Sequence, residues 1–201
     1  MDLKLVLQIV GVALGLIYLY LEYKANIWLW VVGLIMPVVH GTLYLRSGLY
    51  ADSAMQLYYI LAGLYGLLRW HKDGVKKRGE KGNSASALTT SISQTPKHLW
   101  PRIVALYALI HLALYLLLSG LTDSTVPFWD SFTTALCIVA YWMLSRKYVE
   151  QWLVWLVVDV VTIGLYFYKD IPLTACLYVL YSALAIVGYR RWLRVMCTTQ
   201  Q

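Results

Sequence analysis

Seven runs of about 17–21 mostly apolar residues fill this 201-residue chain, at approximately 5–21, 27–45, 50–70, 102–119, 127–144, 149–168 and 172–192. Each run can cross about 30 Å of hydrocarbon as a helix. In lipid, every backbone amide and carbonyl must be satisfied within its own segment, so such runs can only assemble as helices. The sequence therefore predicts an all-α integral membrane protein with seven transmembrane helices. At 60% hydrophobic and 13% charged residues, it leaves no soluble domain to be placed. The first run is followed by the bulky residues Leu19-Tyr20-Leu21-Glu22-Tyr23 rather than a small-residue cleavage pattern, so it reads as a retained helix.

The distribution of charge supports seven crossings. Seven crossings place Lys24, Arg146, Lys147, Arg190, Arg191, Arg194 and every basic residue from Arg69 to Arg102 on one side, 14 of the 17 Lys and Arg. Lys4, Arg46 and Lys169 fall on the other. The positive-inside rule then puts the amino terminus outside and the carboxy terminus in the cytoplasm. A net charge of +7 spread in this way is a topology signal and not a nucleic-acid footprint. Cys137, Cys176 and Cys197 form no disulfide or metal framework and read as small hydrophobes.

A gapless duplication organises the chain. Residues 27–70 reappear as 149–192, an offset of 122, with 11 identities in 44 positions. Among them are Trp30 on Trp152, Val38-Val39 on Val160-Val161, Leu43-Tyr44 on Leu165-Tyr166, Tyr59 on Tyr181, Gly66 on Gly188 and Arg69-Trp70 on Arg191-Trp192. An offset spanning four crossings makes the copies parallel, related by an axis along the bilayer normal. This predicts a three-helix bundle over 1–70, a basic loop with a linker helix over 71–126, and a second bundle with a tail over 127–201. The polar stretch from His71 to Pro101 reads as a flexible cytoplasmic loop. The two bundles are expected to close as half-sites around a ligand.

Ionisable groups at membrane depth are costly unless they face a partner or a wet cavity. Asp159 is the sharpest case, since Trp152, Trp155 and Asp159 share a helix face at steps of three and four. Two indoles beside a carboxylate suit a flat, polar, cationic heterocycle, and the competing reading is a structural hydrogen bond to a neighbouring helix. The matching residue of the first copy is Pro37, either a hinge or a static kink. His40 and Gln56 lie in the same central layer, with Gln56, Tyr59 and Gly63 on one face. Gln56 suits a ring amide or an interhelical bond equally. Trp129 joins these as a stacking candidate. His111 reads as packing, Asp52 and Asp130 as caps or cation attractors, and Glu22 with Lys24 as an interfacial salt bridge. Trp28, Tyr44, Trp70, Trp100 and Trp192 read as interface belts.

His-Glu-x-x-His, Gly-x-Ser-x-Gly and phosphate-cradling glycine loops do not occur, so the chain reads as neither a hydrolase nor an ATP-coupled pump, with no catalytic residue, metal or cofactor. The segment Gly48-Leu49-Tyr50-Ala51-Asp52 through Gln56, Tyr59 and Gly66 to Trp70, with Trp152-x-x-Trp155 and Leu173-Thr174, Leu177-Tyr178 and Gly188-Tyr189-Arg190-Arg191-Trp192, resembles the Pnu-type bacterial vitamin transporters (PnuC family). The resemblance implies a SWEET-like 3+1+3 arrangement and uniport of nicotinamide riboside or thiamine across the inner membrane, with trapping by phosphorylation. It places the ligand layer on Gln56, Tyr59, Trp152, Trp155 and Asp159. Leu21-Glu22-Tyr23-Lys24-Ala25-Asn26-Ile27-Trp28-Leu29-Trp30 and Gly33-Leu34-Ile35-Met36-Pro37 resemble the thiamine branch (PnuT-like), and nicotinamide riboside is the alternative. The expected partners are thiamine and the lipid bilayer, with a homo-oligomer left open and no nucleic acid.

Overall fold

The computed structural model describes residues 3–46, 50–81, 92–122, 126–168 and 172–199. Among these residues the chain is all-helical, with seven α-helices: α1 (Leu3–Tyr23), α2 (Trp28–Arg46), α3 (Tyr50–Lys81), α4 (Trp100–Leu121), α5 (Pro127–Ser145), α6 (Gln151–Tyr168) and α7 (Pro172–Thr199). Proline marks several beginnings: α5 and α7 open on Pro127 and Pro172, and Pro101 sits in the first turn of α4. At the first turn a missing N–H costs no hydrogen bond. Pro37, by contrast, lies inside α2 and is buried.

The chain divides into two compact units, Met1–Ser91 and Ile92–Gln201. In the first, α2 packs on α1 and α3. In the second, successive neighbours from α4 to α7 pack in order, so the linker helix belongs with the second unit. Its core includes Ile103, Val139, Met143 and Tyr148, with Leu99, Tyr107, Trp142 and Val154 packed around them.

Helix α4 has little of its apolar surface inside the protein. Ile103 is its one buried residue among those described, while Leu109, Leu112, Leu116 and Leu121 are all more than half exposed. A helix this apolar and this uncovered is built for a non-aqueous surround. The stretches Lys97–Leu121 and Gln151–Tyr168 are each long and apolar enough to cross a membrane.

Two expectations change. The basic segment after Trp70 is not all loop: α3 continues to Lys81. Trp70 and Trp192 are not interface-belt residues, being 1% and 0% exposed. Each lies edge-on to a tryptophan in the first turn of the preceding helix of its unit, Trp30–Trp70 at 5.7 Å and 86°, Trp152–Trp192 at 5.8 Å and 87°. Gly66 and Gly188 make this packing feasible. A Cβ at Gly66 would come within 2.4 Å of the Trp30 ring, and one at Gly188 within 2.7 Å of the Trp152 ring.

The duplication extends further back than identity shows. Ala25 (φ 50°) and Lys147 (φ 56°) are the two left-handed non-glycine residues among those described, and they too are 122 apart. Their turns repeat bond for bond. Ala25 N–H donates to Glu22 O (2.8 Å) and Asn26 N–H to Leu21 O (2.9 Å). In the second unit Lys147 N–H donates to Leu144 O (2.9 Å) and Tyr148 N–H to Met143 O (3.1 Å). The Lys24 ammonium sits over the Tyr20 ring at 4.7 Å, and the Arg146 guanidinium over Trp142 at 4.9 Å. None of these pairs is identical in type, so geometry has outlasted sequence. Glu22, in the last turn of α1, is 2% exposed.

Candidate functional site

Asp159 lies midway along α6 and is 6% exposed. Steps of four, three and four residues put Trp155, Asp159, Thr162 and Tyr166 on one stripe of that helix. The stripe meets α5 and α7, the two helices that pack on α6. Cys137 of α5 and Tyr178 and Tyr181 of α7 all lie within electrostatic reach of the Asp159 carboxylate. Tyr178 is flanked by Tyr166 at 5.4 Å and by Tyr181 at 5.6 Å, and Trp155 meets the Tyr141 ring at 6.0 Å. Together these residues surround one acid with aromatic faces, drawn from three helices of a single unit.

Two donors on α6 and α7 are unspent. Trp155 Nε1 and Ser182 Oγ are buried and have no hydrogen-bond partner among the described residues. Helical hydroxyls usually bond back to the preceding turn. Thr134 and Thr198 do so at 2.7 and 2.9 Å, and Ser145 at 2.6 Å. Ser182 stands four residues after Tyr178 on α7 and departs from that pattern. A buried donor without a partner is costly, and Trp152 Nε1, which is committed to packing, is in the same state, so the lack of a partner does not by itself mark a site.

The expected site residues fall in different places. Trp155 and Asp159 come together as described. Trp152 is 2% exposed, with its ring laid against Gly188 and Trp192, so it is spent on packing and does not present a stacking face. Trp129, 44% exposed at the start of α5, lines an open apolar groove of about 470 Å³ with Val126, Val160, Val161, Gly164, Leu165 and Tyr168. Gln56 and Tyr59 are half-buried on α3 of the first unit, at positions equivalent by the offset of 122 to Tyr178 and Tyr181. The side chains of His40 and Asp52 lie outside the described residues. His111 packs as expected: its Nδ1 is 3.1 Å from Ser131 Oγ, and its ring stacks on Tyr107.

Tyr178, Tyr181 and Ser182 are the residues that sequence reasoning passed over. The offset was the available signal, because Gln56 and Tyr59 map directly onto Tyr178 and Tyr181.

The middle of α6 thus carries an acid flanked by aromatic rings, and comparison with known proteins shows the family. A family model described as nicotinamide mononucleotide transporter matches residues 5–194. The chain belongs to the nicotinamide mononucleotide transporter family. Members similar to it include the nicotinamide riboside transporter PnuC of Escherichia coli, 25% identical over 93% of this chain and 84% of that protein. The riboflavin/roseoflavin transporter RibM of Streptomyces davaonensis is 29% identical over 92% of this chain and 83% of its own. The crystal structure of the vitamin B3 transporter PnuC shares the fold, with a TM-score of 0.68 at 24% identity over 92% of this chain and 79% of that one. These relatives are transporters, not enzymes. Their names carry nicotinamide riboside and riboflavin, so the thiamine branch expected from α1 and α2 gives way to the alternative reading.

Proposed function

We propose that this member of the nicotinamide mononucleotide transporter family carries nicotinamide riboside by facilitated diffusion across the bacterial inner membrane. The observation that carries the reading is Asp159, buried midway along α6 among Trp155, Tyr166, Tyr178 and Tyr181. The pyridinium ring of nicotinamide riboside is flat and permanently cationic, so it gains both a counter-ion and aromatic faces, the latter worth about 0.5–2 kcal/mol. Its carboxamide and ribose oxygens supply acceptors for Trp155 Nε1 and Ser182 Oγ. Riboflavin offers a flat ring without the charge and leaves Asp159 uncompensated. Passive flux needs only a two-state carrier with modest differential binding, which suits a chain without a nucleotide-binding motif. The skew of basic residues supports an external amino terminus and a cytoplasmic carboxy terminus.

Thiamine remains the second reading, because its thiazolium is also a flat cation and the α1–α2 segment from Leu21 to Pro37 resembles thiamine carriers. Counterflow in proteoliposomes tests both. Labelled nicotinamide riboside should enter saturably, with riboflavin a poor competitor. Entry of thiamine without nicotinamide riboside would transfer the assignment to the second reading. Entry of neither would remove the proposal.

A further inference from the structure

The two repeated turns differ in how they meet their exposed amides. In the first unit the turn closes on itself, with Trp28 N–H donating to Asn26 Oδ1 at 3.0 Å. The residue equivalent to Asn26 is Tyr148, whose ring goes into the core beside Ile103, Val139 and Met143. The second turn therefore lacks the short polar side chain that served the first.

A strap from outside the repeat bonds this turn instead, at the Lys147 carbonyl and the Val149 amide. Ser93 pairs with Tyr148 as an isolated parallel bridge: Ser93 N–H donates to Lys147 O at 3.1 Å, and Val149 N–H donates to Ser93 O at 3.0 Å. Two residues on, Thr95 donates twice to Glu150 Oε2, from its backbone N–H at 2.9 Å and from its hydroxyl at 2.8 Å. Thr95 is 5% exposed, and Leu99 beyond it packs on the same core as Tyr148. Hydrogen bonds to a charged acceptor are among the stronger ones available. Glu150 immediately precedes α6, the helix bearing Trp155 and Asp159.

We propose that the Ser93–Thr95 strap fixes the start of α6, making Thr95 and Glu150 positioning residues for the Trp155–Asp159 face. Holding the helix end populates the binding-competent orientation, and apparent affinity scales with that population. The affinity arm rests on the transport reading above, whereas the local-order arm does not.

The test uses the full chain in lipid nanodiscs, with hydrogen exchange of backbone amides and titration with nicotinamide riboside. Glu150→Ala removes both bonds to Thr95 and should raise exchange over residues 149–154 by about tenfold or more, with residues 28–32 unchanged within about twofold. The dissociation constant should rise about five- to tenfold. Glu150→Gln keeps an oxygen acceptor for both donors and should stay within about threefold of the parent. Thr95→Val keeps the backbone bond and should fall between, and it decides the question if Glu150→Ala does not fold. Unchanged exchange at 149–154 in Glu150→Ala or Thr95→Val overturns the proposal. So does a Glu150→Gln protein as loose as Glu150→Ala, since the carboxylate charge would then be acting without the bonds. A parent protein that binds no nicotinamide riboside defeats the transport reading alone, and the exchange data still judge the strap.

Discussion

Replacing Gly66 by alanine sets two known effects against each other, and the structure decides which wins. Alanine is favoured over glycine inside a helix by about 1 kcal/mol, so propensity alone predicts a more stable protein. The new Cβ, however, would lie 2.4–2.5 Å from Cη2, Cζ2 and Cζ3 of Trp30. Carbon contacts are most favourable at about 3.5–4.0 Å, so the indole has to retreat by about 1 Å. Trp30 is 1% exposed and braced edge-on by Trp70, which leaves no room for the retreat. Overpacking of this kind costs about 1–3 kcal/mol, so after the propensity gain the net loss should be about 0–2 kcal/mol. Gly188→Ala meets Trp152 at 2.7–2.8 Å and should lose less. The clashing atoms belong to the six-membered part of the indole, so Trp30→Phe in the Gly66→Ala background should recover part of the loss. Thermal unfolding of the four proteins of this double-mutant cycle in one detergent checks it. A Gly66→Ala protein that melts higher than the parent, or strictly additive effects of the two changes, would show that the tryptophan does not lie on that glycine.

Asp159→Asn should weaken nicotinamide riboside by about 10- to 100-fold, the scale of losing a close opposite charge at low local dielectric. The uncharged dihydro form of the same nucleoside should change less than about twofold in the same binding titration, and equal losses for both would deny Asp159 its counter-ion role. Ser182→Ala, which removes a buried hydroxyl without a protein partner, should leave the melting temperature intact or slightly raised while weakening binding about three- to tenfold. A lowered melting temperature with normal affinity would assign that hydroxyl to the fold. Ala25→Gly relieves a left-handed backbone at φ 50° and should raise stability by up to about 1 kcal/mol, read as a higher melting temperature. A decrease would mean that the buried Ala25 methyl contributes more by packing than its backbone costs.

The sequence by itself settled the class of the fold and the family. Seven apolar runs in a chain with 13% charged residues leave only helices, because hydrocarbon offers no partner for an unpaired amide. The segment from Gly48 to Trp70 and the Trp152-x-x-Trp155 spacing carried the resemblance to Pnu-type carriers, the 122-residue offset gave the repeat, and Asp159 stood out because a mid-helix acid in such a segment is costly. What each tryptophan does could not be read, since hydropathy treats a belt residue and a core residue alike. Tertiary structure alone showed that Trp70, Trp152 and Trp192 are wedged in the core, because the decisive contacts cross a helix pair: Trp152 lies on Gly188, and Trp70 and Trp192 lie edge-on to Trp30 and Trp152. Tyr178 and Ser182 gained meaning only when α7 was seen against α6, and the strap at Thr95 only when the chain folded back across 55 residues to Glu150. Periodicity reports which side of a helix is apolar. Contact across sequence distance decides which of those side chains are spent on packing and which are left free for a ligand.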